Sequence, residues 1–336
     1  MNQLESIAHQ ERLADLFKKW AGEQCLTCEP LGANGSNRLY YRMKGATQGC
    51  IGAYNPDKRE NKAFCYYSKE FTQLGLPVPE LYAEGEDGEI YLQQDLGDHT
   101  LYEKLQQDKS FGEELVKLYQ QVLSDLVRFQ IGGKNLDFSY AYPRGAFDHQ
   151  SMQWDLNYFK YYFLKTSSVG FDEQLLEDDF QTLIQYLLEE NCSYFMYRDF
   201  QARNIMLIDG KPIYIDYQGA RKGAAQYDVA SLLYSAKSEI PEERRTELLN
   251  YYIEQLSAKV DIDIDKFREH FYGYVLIRIL QAMGAYGFRG YFERKEYFLQ
   301  SVPLAKNNLR NLLINHPLPI NISYLNKTLI RLTESI

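Results

Sequence analysis

Residues 195–223 read FMYRDFQARNIMLIDGKPIYIDYQGARKG, and the rest of the chain is best read outward from them. Two short apolar runs, Ile205–Ile208 and Ile213–Ile215, flank the pair Asp209-Gly210. A D-G pair between β-prone runs predicts a hairpin closed by a type I′ turn, which needs positive φ at both central residues. Asp199 sits in the turn Tyr197-Arg198-Asp199, Asn204 follows five residues later, and Asp216 ends the second hairpin strand. Phosphoryl transfer asks little covalent help of a protein. It needs a carboxylate to position the attacking hydroxyl, and oxygen ligands for a divalent ion on the nucleotide phosphates. Asp199 fits the first task. Asn204 and Asp216, drawn together by the hairpin, fit the second, because Mg²⁺ is a hard cation that takes oxygen ligands and keeps waters. Taken singly, the three have plain readings as a turn residue, a cap and a strand end. The D-x-x-x-x-N spacing, the D-G hairpin and the apolar-Asp end together favour the chemical one.

Upstream, Leu4, Ile7, Leu13, Leu16, Phe17 and Trp20 recur at helical spacing, so the chain opens with an amphipathic helix. Strand signals follow at Cys25–Leu31, Arg38–Met43, Gly49–Tyr54, Pro79–Glu84 and Glu89–Gln94. Between the third and fourth, Ala63, Phe64, Tyr67, Phe71 and Leu74 predict a helix closed by Gly75 and Pro77. From Thr100 onward the apolar periods are helical, over 115–131, 153–164, 172–188, 227–238, 242–256, 265–285 and 292–313, with the hairpin as the exception. The expected fold class is α+β: a small β-rich lobe, residues 1–95, and a larger, mainly helical lobe, residues 96–336, that carries the 197–218 loop and hairpin. Ligands prefer the clefts of such two-lobed arrangements.

A length of 336 residues suggests about two domains and needs no disulfide or metal staples. Hydrophobic residues at 45% and charged residues at 25% exclude disordered and collagen-like classes. The net charge of −9, without a long basic run, argues against nucleic acid and anionic membranes as partners. The amino-terminal residues lack a basic region followed by an apolar core, and no stretch approaches about 18 uncharged apolar residues. A reducing cytoplasm is the expected compartment, with a small-molecule acceptor and no obligate protein partner evident. Cys25-Leu26-Thr27-Cys28 is a lone C-x-x-C on an expected strand, without the turn into a helix that redox pairs need, and reads as structural.

With these residues in view, the chain resembles the aminoglycoside phosphotransferase and choline-kinase-like enzymes, relatives of the protein kinases. YRDFQARN stands where the kinase pattern H-R-D-x-x-x-x-N sits, and IDYQ (Ile215–Gln218) where D-F-G sits, with Tyr197 and Gln218 as departures. The resemblance spans roughly residues 24–313 and implies a bilobal protein-kinase-like fold. It implies Asp199 as catalytic base, Asn204 and Asp216 as Mg²⁺ ligands, and ATP as phosphoryl donor. It places Asp228 at the start of the next helix, where it would cap that helix and brace the catalytic loop. It also makes Gly32–Asn37 a nucleotide-covering loop, with Gly35, Ser36 and Asn37 near phosphate, and Gln94-Asp95-Leu96 a hinge whose backbone meets adenine. Relatives place a Lys in the third strand, but Gly49–Tyr54 has none. Arg38 and Arg42 are the expected replacements, since period two puts both on one strand face.

Several features narrow the resemblance to bacterial kinases that phosphorylate the anomeric hydroxyl of N-acetylmuramate and N-acetylglucosamine. They are Ser36 followed by Arg38, Tyr40 and Arg42; Leu76–Pro79; Asp95–Gly97; Asp155, Leu156 and Phe159; and Leu280–Tyr297. The acceptor wall is expected from Asp155, Tyr158 and Phe159 on the helix beginning near Gln153, with Arg203 beside it. The alternatives are a kinase of an aminoglycoside-type antibiotic or choline-like alcohol, and a catalytically silent nucleotide-binding protein.

Overall fold

The computed structural model describes residues 3–32, 38–108 and 110–334. Its contacts divide the chain into two compact units. The first comprises Met1–Leu101, Asn135–Gly145 and Arg203–Ala220, and the second Tyr102–Lys134, Ala146–Ala202 and Arg221–Ile336. This division differs from the expected boundary at 95/96 in grouping the 203–220 hairpin with the first unit, where it bonds segments beside the sheet. Leu207 N–H donates to the His99 carbonyl and Tyr214 N–H to that of Pro77, each at 2.9 Å.

The first unit is built on an antiparallel sheet of β1 (Thr27–Pro30), β2 (Leu39–Lys44), β3 (Gly49–Tyr54), β4 (Leu81–Glu84) and β5 (Ile90–Gln93), in the order β1-β2-β3-β5-β4. Helix α1 (Gln3–Ala21) lays Leu13 and Phe17 onto Tyr41, Met43, Cys50, Ile90 and Leu92. The approach is close at Gly52. A Cβ there would stand 2.6 Å from Met43 Sδ and 3.0 Å from Leu13 Cδ2, so a larger residue would make these side chains shift. Helix α2 (Lys58–Gln73) begins a turn earlier than Ala63, because the Asp57 side chain accepts the Arg59 and Glu60 N–H groups.

The expected hairpin is present as β6 (Ile205–Ile208) and β7 (Lys211–Tyr214). Asp209 and Gly210 have φ of 49° and 76°, the signs a type I′ turn requires. Tyr217, just beyond, stacks on Phe64 of α2 at 5.1 Å and exchanges a 2.6 Å hydrogen bond with Ser68. The hairpin is thereby tied to α2 and to the segments carrying Pro77 and His99.

The second unit is helical. Its principal helices are α3 (Glu113–Gly132), α4 (His149–Phe159), α5 (Glu173–Leu187), α6 (Gln226–Leu233), α7 (Glu242–Ser257), α8 (Ile264–Tyr286), α9 (Val302–Asn315) and α10 (Ser323–Glu334). From Phe271 to Leu280 helix α8 is buried nearly all round and runs through the core, while its first turns carry exposed charge. It packs on α4, and both helices continue into π-helical turns, Lys160–Leu164 and Gly287–Phe292. At Gly287 a Cβ would lie 2.0 Å from the Tyr162 carbonyl oxygen, so only glycine permits this approach. Two short strands, β8 (Tyr194–Met196) and β9 (Arg221–Gly223), pair antiparallel and clamp both ends of the excursion through residues 197–220. No helix among the described residues is long and apolar enough to cross a membrane.

Candidate active site

In the second unit the chain leaves β8 directly into Tyr197-Arg198-Asp199. Arg198 has φ of 80°, a left-handed conformation that a residue with a Cβ adopts only when its surroundings enforce it. Asp228 of α6 supplies that enforcement. Its carboxylate is fully buried and accepts the Tyr197 N–H at 2.7 Å and the Arg198 N–H at 2.9 Å. Burial pushes the Asp228 carboxyl up to about 7, against the pull of the two N–H groups, and the nearby Asp199 adds to the rise. The expected helix cap is corrected here. The N-cap of α6 is Ala225, and Asp228 turns its oxygens to the loop instead of to its own helix.

The Arg198 side chain is held as firmly as its backbone. Its guanidinium grips both oxygens of Asp155 at 2.7 and 2.8 Å and donates to Tyr227 Oη at 2.6 Å. The rings of Phe147 and Tyr227 lie 5.0 and 5.1 Å from its centre. Tyr197, in the place of the kinase His, is buried edge-on to Phe129 and Phe200. Asp199 itself is half-buried, and Gln201 Nε2 lies 3.5 Å from its Oδ1. The outcome is a carboxylate on a loop with little freedom to move.

Asp155 therefore does not line an open acceptor wall. It is buried and spent on Arg198, which the pairing across 43 residues of sequence concealed. Phe159 is a core residue with no exposed surface. Tyr158 is half-buried in an aromatic cluster with Tyr162 and Phe288, at 5.2 and 6.0 Å.

In the first unit, Asn204 and Asp216 meet. Asn204 Nδ2 donates to Asp216 Oδ2 at 2.9 Å, and Ile215 N–H donates to the Asn204 carbonyl at 3.1 Å. Asp216 takes a positive φ of 72°. Gln218, which replaces the glycine of D-F-G, donates its Nε2 to Asp216 Oδ1 at 2.7 Å. Arg203 is exposed, in the 3₁₀ turn Ala202–Asn204.

The two phosphate candidates have different fates. Arg42 is committed: its guanidinium bonds Asp95 at 2.7 and 3.1 Å and Asp98 at 2.8 and 3.1 Å, strapping β2 to the segment after β5. Arg38 is buried just before β2, 3.4 Å from Glu60 of α2 and 3.3 Å from Tyr40 Oη. In the expected hinge, Gln94 N–H donates to the Glu80 carbonyl at 2.9 Å, Asp95 also accepts the Gly97 N–H at 3.0 Å, and Leu96 is buried. Gly35, Ser36 and Asn37 lie outside the described residues. Sequence reasoning missed Glu60 and the tasks of Asp155 and Tyr227. The motif itself flagged Arg198, but nothing local marked its partners.

Comparison with known proteins bears on the family and the fold. A family model described as "Phosphotransferase enzyme family" matches residues 27–270. The chain is 28% identical over 289 residues to an N-acetylmuramate/N-acetylglucosamine kinase of Neisseria meningitidis serogroup B, covering 83% of each chain. Among solved structures, an amicoumacin kinase in complex with AMP-PNP and Ca²⁺ is similar with a TM-score of 0.63 at 14% identity, over 96% of this chain and 99% of that one. A choline kinase from Cryptosporidium parvum gives 0.58 at 14%, over 90% and 93%. The kinase-like fold expected from the sequence is thus the fold observed, and the match runs through the YRDFQARN and IDYQ segments. This chain belongs to the phosphotransferase enzyme family.

Proposed function

We propose that the protein is an ATP- and Mg²⁺-dependent kinase that phosphorylates the anomeric hydroxyl of an amino sugar of the N-acetylmuramate/N-acetylglucosamine type. The observation that carries the phosphotransfer chemistry is the meeting of Asn204 and Asp216 within one hydrogen bond, at 2.9 Å. An amide and a carboxylate form the sparse oxygen set that suits Mg²⁺, which draws its remaining ligands from phosphates and water. Bound there, the ion would neutralise charge on the β- and γ-phosphates. The similarity to an amino-sugar kinase supports the acceptor class.

In this reading Asp199 orients the acceptor hydroxyl and takes its proton as the oxygen attacks the γ-phosphorus and the bond to ADP breaks. An anomeric hydroxyl is more acidic than an ordinary alcohol, so a modest carboxylate base is sufficient. Asp228 and the Asp155–Arg198 pair fix where Asp199 stands, which is positioning and not proton transfer. Arg38, paired to Glu60, takes the phosphate-holding task of the third-strand Lys. A guanidinium has five donors in a planar fork, enough to meet both a carboxylate and phosphate oxygens.

The test is ADP release from ATP and Mg²⁺ with N-acetylmuramate, N-acetylglucosamine, choline and a kanamycin-type acceptor, followed by NMR of the product. A sugar 1-phosphate, seen as phosphorus coupling to the anomeric proton, is expected. Turnover of choline or kanamycin alone would replace the amino-sugar reading with the antibiotic or alcohol reading. Nucleotide binding with no turnover of any acceptor would leave a silent nucleotide-binding protein.

A further inference from the structure

A small cavity of about 20 Å³ lies within the second unit, with Gln201, Ser231, Arg278 and Asn308 on its polar side and alanines and Ile279 on its apolar side. It borders the candidate active site on two sides. Gln201 is the residue whose amide lies 3.5 Å from Asp199, and Ser231 sits on α6 one turn beyond Asp228. The Tyr227 phenol, which bonds Arg198, also feels the positive charge of Arg278.

Arg278 is the unusual member. It is 9% exposed, on the core helix α8. Its Nε donates to Ser231 Oγ at 3.0 Å and its Nη1 to Gln281 Oε1 at 2.8 Å. Both partners are neutral, and among the described residues no carboxylate pairs with it. Buried guanidinium groups are ordinarily paired, because removing the charge from water costs several kcal/mol that only an opposite charge and full hydrogen bonding repay. Arg245, outside the cavity but bonded to Asn308 of its lining at 3.0 Å, shows the usual arrangement by pairing with Glu242 at 3.3 Å. The cavity has room for one or two oxygen atoms and not for a sugar ring, since about 10–15 Å³ already holds a water.

We infer that this cavity receives a carboxylate carried by the acceptor, with Arg278 as its counter-charge, so that the enzyme selects acidic over neutral amino sugars. The inference rests on the amino-sugar kinase reading and adds a specificity residue to it. N-acetylmuramate fits: it is N-acetylglucosamine with an ether-linked lactyl group that ends in a carboxylate. A carboxylate accepts two N–H bonds from a guanidinium with defined geometry, which a water does not replace. Arg278 takes no part in proton transfer; it holds one end of the acceptor.

The experiment compares kcat/KM for N-acetylmuramate and N-acetylglucosamine in the wild type, Arg278→Gln and Arg278→Lys. In Arg278→Gln the ratio of the two should fall at least tenfold, through KM for N-acetylmuramate, and Arg278→Lys should recover part of it. A ratio within twofold of the wild type in a variant with unchanged circular dichroism would overturn the inference and leave the cavity to a structural water. Should Arg278→Gln not fold, the wild-type enzyme decides by calorimetry with N-acetylmuramate and its methyl ester. Tighter binding of the acid by tenfold or more supports the site, and equal binding refutes it. Turnover of neither amino sugar by the wild type would instead bring down the proposed function, and this inference with it.

Discussion

Replacing Asp155 with alanine tests whether the catalytic loop is positioned by a buried ion pair. The substitution removes both oxygens that hold Arg198, at 2.7 and 2.8 Å. What remains around the guanidinium is one phenol at 2.6 Å, two ring faces, the negative charge of Asp199 and the like charge of Arg221. Arg221 is already pushed down to about 10, first by burial and then by Arg198. Deleting one partner of a buried pair costs about 3–5 kcal/mol. Arg198 keeps its phenol and ring contacts and is 13% exposed, so the lower end, about 3 kcal/mol, applies. Calorimetry should then show the transition of this unit roughly 6–12 °C lower. Turnover should fall about 10–100-fold with little change in nucleotide affinity, because misplacing a base by an ångström has that order of effect. Pairing Asp155→Leu with Arg198→Met removes both charges and should cost less than either single change. Additive losses in that double variant, or a midpoint within 2 °C of wild type for Asp155→Ala, would refute the bracing argument.

Asp199→Asn should lower kcat by about 10²–10⁴ while leaving ATP affinity near normal, as measured by calorimetry; near-normal turnover removes Asp199 from its role. Arg38→Ala should raise KM for ATP about tenfold, and Arg38→Lys should behave more like alanine than like wild type, because an ammonium lacks the fork that spans two partners. Asp228→Asn should flatten the dependence of stability on pH. Its folded carboxyl stands at about 7 against 3.8 for an unperturbed Asp, so the unfolded chain ionises first. The contribution of this group is complete below pH 3.8 and is lost as pH rises through about 7, by up to about 1.4 kcal/mol per pH unit. Denaturant titrations of both proteins between pH 5 and 7 check this. A parallel slope in the variant shows that Asp228 is already ionised in the folded state.

What the sequence disclosed was the local chemistry. The strand Gly49–Tyr54 and the hairpin strand Ile205–Ile208 fall where alternation and turn signals put them. Asp209-Gly210 takes the turn type that its residues favour. Each of these is decided within a few residues, by side-chain period or by which residues tolerate positive φ. Partnership at a distance was hidden. Arg42 meets Asp95 and Asp98 across 53 and 56 residues, and Arg198 meets Asp155 across 43, with nothing in either segment to name the other. The capping half of the Asp228 reading failed for a related reason, while its carboxylate does bond the loop. An acidic residue at the start of a helix looks the same whether its oxygens turn to its own N–H groups or to another segment.

The four arginines Arg38, Arg42, Arg198 and Arg278 carry a single line of reasoning about charge. Arg42 and Arg198 each face carboxylates of their own unit with bidentate geometry, so their charge is answered and their task is to hold backbone in place. Arg38 has Glu60, but at 3.4 Å and with part of that carboxylate exposed, an arrangement compatible with a shared anionic partner. Arg278 has only neutral partners at hydrogen-bond distance. If ligands are what answer the last two, one anion should come from each substrate: the nucleotide phosphates in the first unit and the acceptor carboxylate in the second. The third-strand Lys is then not lost without replacement. Gly52 lies close against Leu13 of α1, and the positive charge would enter from Arg38, just ahead of the neighbouring strand, instead.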